Sequence, residues 1–277
     1  MNHTELLRQD IRYPAGGKDH AVLLLHGLSS TPQELSYLAR SLAKQGYAVH
    51  APYLPGYGLG TPCSNASQWR AQVRHCFDEL QDKHARVSVG GLCIGATLAL
   101  ALAAEDTRVL ALALLSVTLD YDGWTIPWYH WLLTLAYRTP LRNLYSLNER
   151  EPYGLKNQAL RAKVARSMLL RGDSEIGAAS LSMPHIYEAR ALARYVKGCL
   201  PKVQADCVLI HAIDDDVSST ANAEFVYARV GSPCKRKIFI DNCYHIITMD
   251  NERELVANET RWFFEDSAAR HGSPQVR

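Results

Sequence analysis

The chain has 277 residues and a mass of 30.9 kDa, room for one large α/β domain or two small ones, and 47% of it is hydrophobic against 21% charged. Those proportions exclude a disordered or fibrous chain. Thirty Lys and Arg against 28 Asp and Glu leave a formal charge of +2 with no basic run or stripe, so nucleic acid is not an expected partner.

The N-terminal stretch MNHTELLRQDIRYP has no charged segment followed by an apolar one, so no secretory signal is expected. The longest apolar runs, Leu92 to Ala104 and Val109 to Ser116, fall short of the roughly 18 residues that a membrane span needs. A soluble protein without a membrane span is expected. The seven cysteines (Cys63, Cys76, Cys93, Cys199, Cys207, Cys234, Cys243) are odd in number, scattered and free of any CxxC pair. That pattern suggests neither a disulfide framework nor a metal site, and a reducing cytoplasm fits it. No cofactor is expected.

Along the chain, short apolar runs alternate with longer amphipathic stretches, as in a parallel sheet with crossover helices. Strands are expected at Ala21 to His26, Tyr47 to Ala51, Val87 to Gly91, Val109 to Ser116, Cys207 to His211 and Lys237 to Asp241. Helices are expected at Thr31 to Gln45, opened by Thr31 and Pro32 and closed by Gly46, and at Ala66 to Lys83, Cys93 to Ala104, Ser219 to Val230 and Asn251 to Phe264. The fold class is therefore α/β, a doubly wound, mostly parallel sheet. The alternation breaks between Thr118 and Lys202, which has clustered aromatics and helical patterns but no convincing strand. We read 118–201 as a helical cap inserted into a core formed by 1–117 and 202–277, over the end of the sheet where such folds bind ligands. The tail from Ser267 to Arg277 is expected to fray.

Gly91-Leu92-Cys93-Ile94-Gly95 stands between an expected strand and an expected helix. It matches the nucleophile-elbow pattern with cysteine in the serine position, and the flanking glycines let strand and helix backbones approach. Such a pattern alone is weak, and its setting gives it weight. A helix N-terminus there also stabilises a thiolate. Upstream, the run Val22 to Leu25 ends in His26-Gly27-Leu28, and the amides of Leu28 and Ile94 are the candidate oxyanion hole. His26 precedes the elbow and is expected to brace that loop. Downstream, one strand runs into Asp214-Asp215-Asp216 and another into His245. Nucleophile, acid and histidine then follow the chain order of this elbow chemistry. Asp215 is the expected acid, because it stands two residues before the apolar Val217, whereas Asp214 comes one residue early and Asp216 is expected to abut a helix start.

These motifs resemble the α/β-hydrolase superfamily, in particular small bacterial carboxylesterases and monoacylglycerol-lipase-like members. The resemblance rests on Leu23 to Leu28, on Gly46 to Gly58 with its Leu54-Pro55-Gly56 turn, on the elbow, on the late Asp and on Cys243 to Asp250, and it covers nearly all of the chain outside the cap. It implies a triad of Cys93, His245 and Asp215 acting on a small-molecule acyl substrate. The departure is Cys93, a residue that dienelactone hydrolases of the same superfamily are similar in using.

A cysteine changes the expected chemistry. An acyl-cysteine is a thioester, so attack on a thioester exchanges like for like, while attack on an oxygen ester requires His245 to protonate the leaving alkoxide. Activated donors, such as acyl groups on coenzyme A or an acyl carrier protein, are therefore candidate partners. Three readings stand at this point: a (thio)ester hydrolase, an acyltransferase to an amine or alcohol, and a non-catalytic ligand-binding homologue. In the cap, Trp124, Trp128 and Trp131 share one helical face by spacing. They either line an acyl tunnel as substrate-binding residues or pack on the sheet.

Overall fold

The computed structural model describes residues 3–126, 146–174 and 176–272. After a short helix α1 (His3–Leu7) and an edge strand β1 (Ile11–Tyr13), the chain lays down β2 (His20–Leu25), α2 (Ser36–Lys44), β3 (Ala48–Ala51), α3 (Ala66–Gln81), β4 (Arg86–Leu92), α4 (Ile94–Glu105) and β5 (Val109–Leu115). The inserted region contributes β6 (Ser146–Asn148), α5 (Gln158–Arg171), β7 (Asp173–Ser174), β8 (Gly177–Ala178), β9 (Ser180–Ser182) and α6 (Met183–Cys199). The chain then returns through β10 (Asp206–Ala212), α7 (Thr220–Arg229), β11 (Lys235–Ile240) and α8 (Arg253–Gly272).

The main sheet has seven strands in the order β1-β3-β2-β4-β5-β10-β11, with only β1 antiparallel to its neighbour. The inner strands β2 and β10 are buried along their whole length, which is why they read as continuous apolar runs rather than alternating ones. Two hydrophobic clusters occupy the two faces. One joins the sheet to α3, α4, α6 and α7 through residues such as Phe77, Leu98, Val196 and Val226. The other joins it to α2 and α8 through Leu38, Leu42, Val256 and Phe263. This is the doubly wound arrangement expected from the sequence.

Helix α4 is buried from Ile94 to Ala103 because α3 and α6 cover the side that the sheet leaves open. Thr31 accepts the Gln33 amide as expected of a cap, but the turn Pro32–Leu35 is a 3-10 turn before α2 begins. Strand β1 was not expected, since three residues at an edge give no readable period. Over 267–272 the expected fraying is corrected, since α8 continues to Gly272 and the buried Ser267 hydroxyl donates to Asp206 at 2.7 Å; residues 273–277 lie outside the described residues.

The inserted region differs from an all-helical cap. Its short strands form two antiparallel ribbons, β6 with β9 and β7 with β8. Strands of two or three residues carry no sequence period, hence the difference. Helix α6, placed within the insertion by sequence, buries Ala189, Leu192, Ala193 and Val196 in the same cluster as α4. Among the described residues, no helix is long and apolar enough to cross a membrane.

Candidate active site

Cys93 sits at the tip between β4 and α4 with φ 58° and ψ −121°, a sparsely populated backbone state for a residue with a side chain. The glycines on either side make that turn possible. A Cβ on Gly91 would lie 2.3 Å from the Gly95 carbonyl oxygen, and one on Gly95 would lie 2.2 Å from the Leu25 carbonyl oxygen. The Cys93 amide donates to Leu115 at 3.0 Å, and its carbonyl accepts the Ala96 amide at 3.2 Å. This fixes the turn against β5 and α4 while the side chain stays half-buried.

Asp215 and His245 follow the C-terminal ends of β10 and β11, which are adjacent parallel strands in the sheet. His245 Nδ1 is 2.9 Å from Asp215 Oδ1 and 2.8 Å from Oδ2. The Asp215 carboxylate also accepts the amides of Val217 at 2.9 Å and Ser218 at 2.8 Å. Burial raises its pKa, but the charge and hydrogen bond of His245, with help from His211 and the Ser218 amide, hold it below the ordinary carboxylate value. Burial pulls the His245 imidazole down, and the charges of Asp215 and Cys93 outweigh it, leaving the ring well above its ordinary pKa. The histidine backbone is held as well: Ser116 Oγ donates to the His245 carbonyl at 2.8 Å.

The other two acids of the run divide. Asp214 is exposed and accepts from Lys156 Nζ at 2.9 Å. Asp216 does not abut a helix, since α7 starts at Thr220 behind its cap Ser219. It is buried, accepting the His245 amide at 3.2 Å and the Gly154 amide at 3.1 Å, and burial raises its pKa. Asp250 plays a comparable part, accepting the amides of Tyr244 at 2.9 Å, Lys156 at 2.7 Å and Asn157 at 2.8 Å. Sequence reading missed Asp216 as a structural acid.

The loop after β2 passes close to the elbow. Ser29, at φ 53°, donates its amide to the Tyr57 carbonyl at 3.0 Å, and the Gly27 amide donates to the Glu34 carboxyl. Leu28 lies between these two committed amides and follows Gly27, whose built Cβ would lie 3.6 Å from Cys93 Cβ, and Ile94 is the first residue of α4, directly after Cys93. His26 is buried, pairs Nδ1 with the Gly27 carbonyl oxygen at 2.8 Å and stacks on Tyr53. Burial lowers its pKa to about 4, so at neutral pH it is an uncharged ring. The Tyr57 hydroxyl donates to the His26 carbonyl at 2.8 Å, tying the same loop to the segment after β3.

Trp124 is 60% exposed, donates Nε1 to the Asp214 carbonyl at 3.1 Å and meets the Tyr244 ring edge-on. It therefore does not pack on the sheet. Trp128 and Trp131 lie outside the described residues. All seven cysteines are free, and burial raises the thiol pKa of Cys63, Cys76, Cys199, Cys207 and Cys243. Among the described residues, no cluster of three or more His, Cys, Asp or Glu could hold a metal ion.

Comparison with known proteins agrees with this architecture. The chain is 24% identical over 246 residues to a thermostable monoacylglycerol lipase of Bacillus sp. (strain H-257), covering 88% of this chain and 89% of the relative. It is 21% identical over 253 residues to a carboxylesterase of Bacillus subtilis (strain 168), covering 90% and 94%. Among solved structures, the monoacylglycerol lipase of Paleococcus ferrophilus superposes with a TM-score of 0.77 at 14% identity, over 93% of this chain and 98% of that one. One of the metagenome-derived lipolytic enzymes LipS and LipT superposes with a TM-score of 0.79 at 23% identity, over 94% and 98%. Residues 16–252 match the family described as serine aminopeptidase, S33, and the chain belongs to that family, as an enzyme of the α/β-hydrolase type with cysteine at its elbow.

Proposed function

We propose that the protein is an ester hydrolase that works through an acyl-cysteine, with Cys93 as nucleophile, His245 as base and then acid, and Asp215 orienting the imidazole. The observation that carries this reading is the buried two-oxygen contact of Asp215 with His245 Nδ1, made after strands of the sheet that carries the Cys93 elbow. The lipase and carboxylesterase relatives support an ester as the substrate class.

His245 takes the Cys93 proton, and the thiolate attacks the acyl carbonyl carbon. The carbonyl oxygen becomes an oxyanion, which the Leu28 and Ile94 amides stabilise. As the carbon–oxygen bond to the alcohol breaks, the imidazolium returns its proton to the leaving alkoxide, giving the alcohol and an acyl-cysteine. Water then loses a proton to His245 and attacks the thioester, releasing the acid and the thiol. The raised pKa of His245 suits this sequence, because it keeps a proton ready for the alkoxide, the step at which a cysteine enzyme is at a disadvantage. Asp215 remains a carboxylate throughout, since His245 and the Ser218 amide hold its pKa low.

In this proposal the region between Thr118 and Pro201 caps the site, with Trp124 at its mouth beside Tyr244. The test is intact-mass analysis after brief incubation with p-nitrophenyl esters and with acyl thioesters. An added acyl mass on the wild type and none on Cys93→Ala is the expected result. Hydrolysis without amide or ester products when amines or alcohols are added separates the hydrolase from an acyltransferase. Neither adduct nor turnover with any donor would make the chain a binding protein.

A further inference from the structure

Glu34 is a carboxyl that the proposed chemistry does not use, although it is buried next to it. It follows the oxyanion loop, in the 3-10 turn Pro32–Leu35, and turns back into the protein. The Gly27 amide donates to Oε1 and the Ser30 hydroxyl to Oε2, so both oxygens are committed to the turn that carries Leu28. A Cβ built on Gly27 would lie 3.2 Å from Glu34 Oε1 and 3.6 Å from Cys93 Cβ, so the carboxyl and the cysteine face the same glycine. His245 and Tyr57 feel the Glu34 charge, Cys93 lies across Gly27, and His245 is itself faced by Asp215, Asp216, Glu149, His211 and Cys93.

We propose that Glu34 is a positioning residue of the active site, clamping the Gly27–Ser30 turn that presents the Leu28 amide and setting a carboxylate beside Gly27 and Cys93. This rests on the assignment of Cys93 and His245 given above.

Two features argue against a clamp alone. A neutral side chain such as Gln could accept the Gly27 amide without the cost of burying a charge. Burial raises the Glu34 pKa to about 7, with the two hydrogen bonds and the His245 charge opposing it. Above that value the carboxyl is ionised, which is the range in which an imidazolium of raised pKa gives up its proton. The charge is therefore present when it matters. It extends to higher pH the range in which His245 can protonate a leaving alkoxide.

The test compares wild type, Glu34→Gln and Glu34→Ala. The dependence of kcat/KM on pH is followed from pH 5 to 10 for an unactivated alkyl ester, whose leaving alkoxide needs a proton, with melting temperature at each pH. Glu34→Gln should fold and keep the turn, while the alkaline limb of the kcat/KM profile moves down by about one pH unit. Glu34→Ala should lose more activity at every pH, because the Gly27 amide and Ser30 hydroxyl are left unpaired. An unmoved alkaline limb in Glu34→Gln, or equal losses in both variants that simply track melting temperature, would overturn the proposal. The wild type separates the two levels: if it forms no acyl adduct on Cys93 the nucleophile assignment fails, whereas an adduct with an unmoved limb in Glu34→Gln sinks Glu34 alone.

Discussion

Asp216 and His245 are joined through the backbone: one carboxylate oxygen of Asp216 accepts the His245 amide at 3.2 Å, while the other takes the Gly154 amide at 3.1 Å. Neighbouring acids thus hold one histidine in two ways, Asp215 by its ring and Asp216 by its main chain. Substitution should separate them. Asp215→Asn should lower kcat/KM by roughly 10³- to 10⁴-fold at nearly unchanged folding, by favouring the wrong tautomer of His245. Asp216→Asn turns an amide group toward a backbone donor and should cost about 1–3 kcal/mol of stability with a smaller loss of rate. Asp214→Asn loses only an exposed pair with Lys156 and should be nearly silent. Melting curves and kinetics on the three variants check the order, and a larger rate loss at Asp216 than at Asp215 would reverse the assignment.

Cys93→Ala should abolish turnover and leave the melting temperature close to wild type, since the side chain stands at a turn tip and is only half-buried. Cys93→Ser is more informative. An acyl-serine is an oxygen ester, so hydrolysis of oxygen esters should survive or rise in this variant while exchange with thioesters falls. Steady-state rates on a matched ester and thioester pair give the answer. A serine variant as inactive as the alanine variant on both would show that the elbow is shaped for sulfur alone.

The buried carboxyl of Glu34 also makes a prediction about stability against pH. Its pKa rises from 4.5 in the unfolded chain to about 7 in the fold, so in that interval the native state binds more protons than the unfolded state. Stability should therefore fall as pH rises from about 4.5 to about 7, by on the order of 3 kcal/mol from this group, and change no further above that range. Glu34→Gln should flatten this slope. Urea titrations of the two proteins at pH 5 and pH 8 measure the difference, and parallel curves would exclude a raised pKa.

Trp124 is largely exposed, and its replacement by Ala should lower the melting temperature far less than the loss of a core tryptophan, which costs about 3–5 kcal/mol. If it borders the acyl path, KM should rise for long acyl donors and stay near wild type for acetyl donors, because lost contact scales at roughly 0.8 kcal/mol per buried CH₂. A chain-length series decides this. Equal effects on all donors would remove Trp124 from the substrate path.

The inner strands were legible because burial on both faces turns β2, β5 and most of β10 into apolar runs. The elbow was legible for a different reason, since Gly91 and Gly95 are sterically required where two backbones touch. The ribbons of the inserted region escaped notice because their strands are shorter than one period. Glu34 was hidden by its neighbours: Thr31-Pro32-Gln33-Glu34 has the spacing of a local capping box, and no sequence signal tells that its carboxyl turns to Gly27 and Ser30 instead. Asp216 was passed over because three adjacent acids look alike until the fold buries two of them.

The hub at Asp250 couples parts of the chain that are far apart in sequence. With Tyr244, Lys156 and Asn157 all donating to it, the segment entering α5 cannot peel away without freeing the loop that holds His245. Hydrogen exchange should therefore show 154–157 and 244–251 opening as one cooperative unit, slower than the ribbon β7–β8. On the proposed mechanism, any loosening of this segment to admit a bulky molecule would at the same moment release the histidine loop, setting tolerance of large substrates against rapid turnover through a single buried carboxylate.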